Sequence, residues 1–250
     1  MIKLVTPSQI DSFKSFCGCD PFGCKLYSLI TAYGTEELFA QFWLCYDDAT
    51  SVVTAALGKL EGTLTICAPQ GIPEDVHIFA KMLADINCIE SGASGLSSRS
   101  GTVMRLNSSC LECTKEVRLN SGIYGIYQIL STCDAAFAHA ALDAVYVDIH
   151  RRIQCGVMQT SVLYKGEKPC ACAVASLSQG AALISSVACV PEERGQGLAS
   201  QAVAALLSSI ERDNIYLFCR DELIPFYQRL GFTSIGGYFE NEARFFCPKP

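Results

Sequence analysis

The sequence predicts a mixed α/β protein, a mixed central sheet flanked by helices, and three observations carry that reading. From Ile123 onward, helix-period and strand-period segments alternate, with glycine and proline at the breaks. Near Gly195 a glycine-bearing turn separates an apolar strand from an amphipathic helix. The first half of the chain repeats the plan more faintly: Ile72-Pro73-Glu74 and Val190-Pro191-Glu192 lie 118 residues apart, and at that offset the strand patterns overlap.

Taken in order, Ile2–Val5 reads as a short strand, and residues 8–32 and the segment after Thr35 hold helical pieces. Gln41–Tyr46, Val52–Leu57 and Thr63–Cys67 form a three-strand meander, followed by a helix over Pro73–Ile86. The Ser- and Gly-rich span Glu90–Thr102 reads as loop, which places a division between residues 1–110 and 111–250. In the second half, Ile123–Phe137 and Ala140–Arg152 are helical, with Ala141, Leu142, Val145, Tyr146 and Ile149 on one face. A second meander follows, Val157–Tyr164, Cys170–Ser176 and Ala182–Val190, broken at Gly166 and Gly180. After the glycine turn come a helix over Leu198–Glu211, a strand over Asn214–Cys219, a helix over Asp221–Leu230 ended by Gly231, and two last strands.

Composition narrows the function. Half of the 250 residues are hydrophobic and 18% are charged, which suits a well-packed globule. Apolar stretches are interrupted before the roughly 18 residues that a membrane span needs, and the N-terminus lacks a signal-peptide pattern, so a cytoplasmic protein is expected. The net charge is −6 and no basic run exceeds Arg151-Arg152, which disfavours nucleic acid and suits a cationic amine better. The fifteen cysteines are scattered and often sit in apolar runs, as free, buried thiols would. Two clusters, Cys17-Gly18-Cys19 with Cys24 and Cys110-Leu111-Glu112-Cys113, invite comparison with zinc sites. Only the second has the usual two-residue gap, so no metal is expected.

The chemistry concentrates in Val187-Ala188-Cys189-Val190-Pro191-Glu192-Glu193-Arg194-Gly195-Gln196-Gly197-Leu198-Ala199-Ser200. Glycines let the backbone approach a ligand, and the first amides of a helix have no intrahelical acceptor, so the turn is built for an anion such as phosphate. An ordinary strand–turn–helix junction is the alternative. Arg194-x-x-Gly197-x-Ala199 resembles the R/Q-x-x-G-x-G/A signature with which the GNAT family of acyl-CoA N-acyltransferases holds the pyrophosphate of coenzyme A. A second segment, Pro225-Phe226-Tyr227-Gln228-Arg229-Leu230-Gly231-Phe232, resembles the family's other C-terminal signature, a helix ending in F-Y-x-x-x-G-F.

The resemblance covers roughly residues 125–250 and implies a GNAT fold, with the first half as a degenerate GNAT-like copy in tandem. It implies acetyl-CoA as co-substrate, the strand Val187–Val190 along the pantetheine arm, Arg194–Ser200 around the pyrophosphate, and Phe226 and Tyr227 near the sulfur. Tyr227 would donate a proton to the thiolate leaving group when an amine attacks the thioester. The acceptor would be a primary amine on a small molecule or peptide. A non-catalytic CoA-binding or regulatory tandem module is the rival reading. His150, Asp148 and Glu240 are candidates for the general base by residue type alone, whereas His77 and His139 fall on helix patterns. The first copy lacks the phosphate turn: after Gly71 there is neither a second glycine nor an arginine.

Overall fold

The computed structural model describes residues 1–242 apart from 84, 97, 109–111 and 139. His139, Cys110 and everything after Glu242 therefore lie outside the described residues. Among the described residues, twelve strands form one sheet: β1 (Ile2–Leu4), β2 (Ala40–Tyr46), β3 (Val53–Leu60), β4 (Thr63–Cys67), β5 (Cys88–Ser91), β6 (Arg99–Leu106), β7 (Val117–Leu119), β8 (Met158–Lys165), β9 (Lys168–Leu177), β10 (Ala181–Cys189), β11 (Asn214–Cys219) and β12 (Phe232–Glu242). The helices are α1 (Ile10–Cys17), α2 (Pro21–Tyr33), α3 (Glu74–Met82), α4 (Ile123–Cys133), α5 (Ala135–Ala138), α6 (Leu142–Gln154), α7 (Leu198–Ser209) and α8 (Ile224–Gln228).

The sheet order is β1-β2-β3-β4-β5-β12-β6-β11-β10-β9-β8-β7. Read from either end, the same plan appears: a four-strand antiparallel run, then a parallel neighbour, β5 on β4 and β11 on β10. At the centre the halves exchange strands. β12 from the second half pairs with β5, and β6 from the first half pairs with β11, so β6 and β12 meet antiparallel in the middle. The fold is thus a tandem pair on one continuous sheet.

Alternation along the strands sorts side chains to two faces. On β9, Ala171, Ala173 and Ala175 face α7, while Cys172 and Val174 lie in the cluster with Ile126 and Ile129 of α4. On β2, Phe42 and Leu44 pack with α1 and α2, and Trp43 and Cys45 pack with Val76 and Ala80 of α3. Full burial of each large side chain contributes about 1.5–3 kcal/mol.

Helix α2 starts where Pro21 follows the N-cap Asp20, whose carboxylate accepts from the amides of Phe22 and Gly23 at 2.8 and 3.0 Å. It then crosses the seam between the halves, packing on β4 and on β9–β10. There Cys24 Sγ donates to the carbonyl of Ser176 at 3.2 Å, and the guanidinium of Arg152 donates to Ser28 Oγ at 3.0 Å and Ser176 Oγ at 2.6 Å. Arg152 also pairs with Asp148 at 3.4 Å, and the Tyr33 hydroxyl donates to that same carboxylate. A buried charge is tolerated here because its donors are occupied.

Five sequence readings are corrected. Glu90–Thr102 is a loop only in its middle: it begins in the end of β5 and finishes in the start of β6, short or glycine-bearing strands whose partners are distant in sequence. The stretch after Thr35 is turn rather than helix, and the strand begins at Ala40. Asp221–Leu230 is a single 3₁₀ turn over Asp221–Leu223 followed by the short α8, and the helix read to Ile86 ends at Met82. In place of two final strands, the described residues hold one long strand, irregular between Ser234 and Gly236.

Candidate active site

Strands β10 and β11 pair in parallel only from Ala181–Asn214 to Ile184–Leu217. Beyond that point β10 continues to Cys189 beside β9, and β11 continues to Cys219 beside β6, but no longer beside each other. The cause lies in β10. Its register on β9 shifts between Ser185 and Ala188, and Ser186 adopts φ +48°, a left-handed conformation uncommon in a residue with a side chain. The bulge bends β10 away and leaves the edge of Ser185–Cys189 without a strand partner on the β11 side. An extended guest carrying amides can pair with such an edge as another strand would.

At the end of that edge lies the turn. Pro191–Glu193 form one 3₁₀ turn, Gly195 and Gly197 have φ +78° and +73°, and Gly197 is the N-cap of α7. Nothing lies within 4 Å of a Cβ built at either glycine, so backbone conformation rather than crowding requires them. Among the described residues, no backbone amide from Gly195 to Ser200 donates to a protein group, and the first turn of α7 carries no acid. Six consecutive N–H groups and a positive helix end thus remain for an anion. Arg194 Nε donates to the Cys189 carbonyl at 3.2 Å and ties the turn to the strand end.

The cluster behind the gap contains Leu198, Met104, Cys219, Tyr227 and Phe232, with Val187, Cys189 and Phe226 packed against it. Ala188 and Val190 belong to the opposite face with α4. Val187, Cys189, Leu198, Phe226 and Tyr227, distant in sequence, therefore share one apolar cluster. Tyr227 is 6% exposed, with the rings of Phe226 and Phe232 edge-on at 4.9 and 6.1 Å. Among the described residues its hydroxyl has no hydrogen-bond partner. Burial, and secondarily Cys219, pushes its pKa well above the usual tyrosine value, so the phenol keeps its proton at neutral pH. Burial first, then Asp221 and Glu222, pushes the Cys219 thiol up to about 11, which leaves it neutral too.

The base candidates are not gathered there. Asp148 and His150 lie on α6, which packs on α4, α2 and β8. Asp148 is engaged by Tyr33 and Arg152, and His150 is exposed and stacked on Tyr146 at 5.9 Å. Glu240 lies on β12 opposite Glu90, accepting from Cys88 Sγ at 3.4 Å. His77 is on α3 of the first half. Sequence reasoning missed two features: the Ser186 bulge, signalled only by Ser185-Ser186 interrupting an apolar strand, and Lys165, whose side chain reaches the turn from the β8–β9 connection. Cys17 and Cys24 lie in different apolar clusters, and the described residues contain no group of three potential metal ligands.

Residues 123–232 match the model of the acetyltransferase (GNAT) family. No curated protein sequence matches the chain. Among solved structures, a tandem GNAT protein from the clavulanic acid biosynthesis pathway aligns over 97% of this chain and 98% of its own, with TM-score 0.59 and 11% identity. A Drosophila protein aligns over 96% of each chain, with TM-score 0.64 and 10% identity. A GCN5-related N-acetyltransferase from Sphaerobacter thermophilus aligns over 96% of this chain and 94% of its own, with TM-score 0.57 and 10% identity. At these identities the likeness is one of fold. The open β10 edge, the turn before α7 and the helix that carries Tyr227 all lie inside residues 123–232, the span of this chain that carries a GNAT-family domain.

Proposed function

We propose that the protein is an acetyl-CoA-dependent N-acetyltransferase that acetylates a primary amine of a small molecule or peptide by direct attack in a ternary complex. What supports this reading is the coincidence of the unpaired β10 edge, the unclaimed amides of Gly195–Ser200 and a buried Tyr227 in the apolar cluster on which Val187 and Cys189 of that edge pack. Acetyl-CoA fits these residues chemically and supplies an activated acetyl thioester. The edge Ser185–Cys189, including Val187 and Ala188, receives the pantetheine amides. Val190 leads the chain into Arg194, Gly195, Gln196, Gly197, Leu198, Ala199 and Ser200, whose amides receive the pyrophosphate. Phe226 walls the sulfur end, and Tyr227 gives its proton to the departing thiolate.

In this reading residues 111–250 are the catalytic domain and residues 1–110 a degenerate copy that shapes the acceptor side, in a cytoplasmic enzyme. Binding of CoA by calorimetry, followed by acetyl transfer to a panel of amines, is the test. Absence of CoA binding sinks the reading. CoA binding without turnover on any amine, with Tyr227→Phe indistinguishable from wild type, favours the non-catalytic module.

A further inference from the structure

A turn that receives a polyanion needs positive charge, and this one has little of its own. Glu192 and Glu193 outnumber Arg194, in a chain of net charge −6. Arg194 spends its Nε on the Cys189 carbonyl. The nearest imported cation is Lys165 at the end of β8. Its Nζ donates to Gln196 Oε1 at 2.7 Å and forms an ion pair with Glu193, while Gln196 Nε2 donates to Glu193 Oε2 at 2.9 Å. A lysine, a carboxylate and a glutamine thus form a closed triangle on the flank of the turn. Hydrogen bonding from Lys165 above all, then from Gln196, and the field of Lys165 and Lys168 hold the Glu193 carboxyl below its usual range.

We propose that Lys165 is a phosphate ligand of bound coenzyme A, and that in the free protein Glu193 occupies it as an internal substitute for that phosphate. This rests on the CoA-binding reading above. The exchange is physically easy. The side chains of Lys165 and Glu193 are 44% and 18% exposed, so the lysine end of the pair is open to solvent, where ion pairing is weakened and screened by salt. A phosphate group carries more charge than one carboxylate and is held at the same time by the amides of Gly195–Ser200, so it outcompetes Glu193 for the lysine. Glu193 keeps Lys165 beside the turn while no phosphate is present, and it also opposes binding. Lys165 therefore raises CoA affinity, and Glu193 lowers it.

The test is calorimetric titration of the full chain with CoA at about 50 and about 300 mM NaCl, comparing wild type with Lys165→Gln, Lys165→Arg and Glu193→Gln. Lys165→Gln is expected to weaken binding about tenfold and flatten the salt dependence, the scale of one charge-assisted hydrogen bond. Lys165→Arg should restore most of the loss, and Glu193→Gln should tighten binding about threefold by removing the competitor while keeping its hydrogen bonds. Repeating the series with 3′-dephospho-CoA locates the contact: a loss that persists points to the pyrophosphate, and one that vanishes points to the 3′-phosphate. If Lys165→Gln binds CoA as wild type does, even with a lower melting temperature, the triangle is only structural and the proposal is overturned. Weaker binding by Glu193→Gln overturns the competitor role. If the wild-type protein does not bind CoA, the proposal falls together with the reading beneath it.

Discussion

The two halves have the same strand order, yet only in the second does the inner strand part from its parallel neighbour, and the differences between them are small and local. In the second half, β10 is bulged at Ser186 and leaves β11 after four paired positions. In the first half, β4 runs against β3 without a register shift and pairs with β5 over the whole length of β5, from Thr63–Cys88 to Ile66–Ser91. No comparable edge remains there. The helices differ in charge as well. The first turn of α7 carries no acid, whereas α3 begins with Glu74 and Asp75, and Asp75 holds the N-terminal ammonium at 3.0 Å. Carboxylates already occupy the positive end of α3, so a phosphate would meet repulsion there. One architecture can therefore be copied without its local details: the sheet needs only the alternation of apolar residues, whereas the bulge, the diverging strand pair and the uncharged helix start are particular to the second half.

The largest effect should come from separating the halves. A chain of residues 111–250 leaves β11 and β12 without β6, which lies between them. It should fail to unfold cooperatively in thermal melts followed by circular dichroism. A sharp melt with CoA affinity retained would show that the exchanged strands are dispensable.

Next, one left-handed glycine from each half distinguishes them. Gly197→Val should lose CoA affinity by at least about 100-fold, because its left-handed φ of +73° positions the unclaimed amides. Gly71→Ala, at φ +100° in the first half, should cost about 1 kcal/mol of stability and leave affinity unchanged. Equal loss of binding in both variants would mean that both turns take part.

Tyr227→Phe should lower kcat about 100-fold or more while the Kd for CoA changes less than about threefold. Because burial raises the Tyr227 pKa, the acid form persists as pH rises. Wild-type kcat should therefore show no alkaline fall between about pH 7 and pH 10, where an ordinary tyrosine begins to ionise. A decline centred near pH 9 would remove Tyr227 as the acid.

A smaller effect is expected at the seam. Arg152→Met removes the guanidinium donor from Ser28 and Ser176 and leaves Asp148 with only the Tyr33 hydroxyl, and should cost about 2 kcal/mol, a drop of about 4–8 °C in Tm, with CoA affinity preserved. An unchanged Tm would show that the network joining α2 to the second half adds no stability.

What could be read along the chain follows from where the stabilising partners lie. Segments such as Val157–Tyr164 or Leu198–Glu211 carry their own periodicity, because each buries one face and alternates or winds accordingly. The turn at Arg194–Ala199 and the motif around Tyr227 were legible because glycines and aromatic residues at fixed spacing are local marks. Residues 90–102 were not. β6 has only Val103 and Met104 at its apolar centre, and its place is fixed by Cys219, Gly237 and other partners more than a hundred residues away. The Ser186 bulge was equally hidden, since a left-handed serine is imposed by neighbouring strands and not by its own preference.

The sequence by itself determined the mixed α/β plan, the tandem pattern and the two glycines of the turn before α7, Gly195 and Gly197. Tertiary structure alone decided that β6 and β12 change places, that β10 parts from β11 after Ile184, and that Lys165 adds a positive charge beside that of Arg194 in the turn. The reason is physical. Periodicity and glycine spacing act within a few residues, whereas strand exchange, a diverging edge and a borrowed lysine depend on surfaces that meet only once the whole sheet has formed.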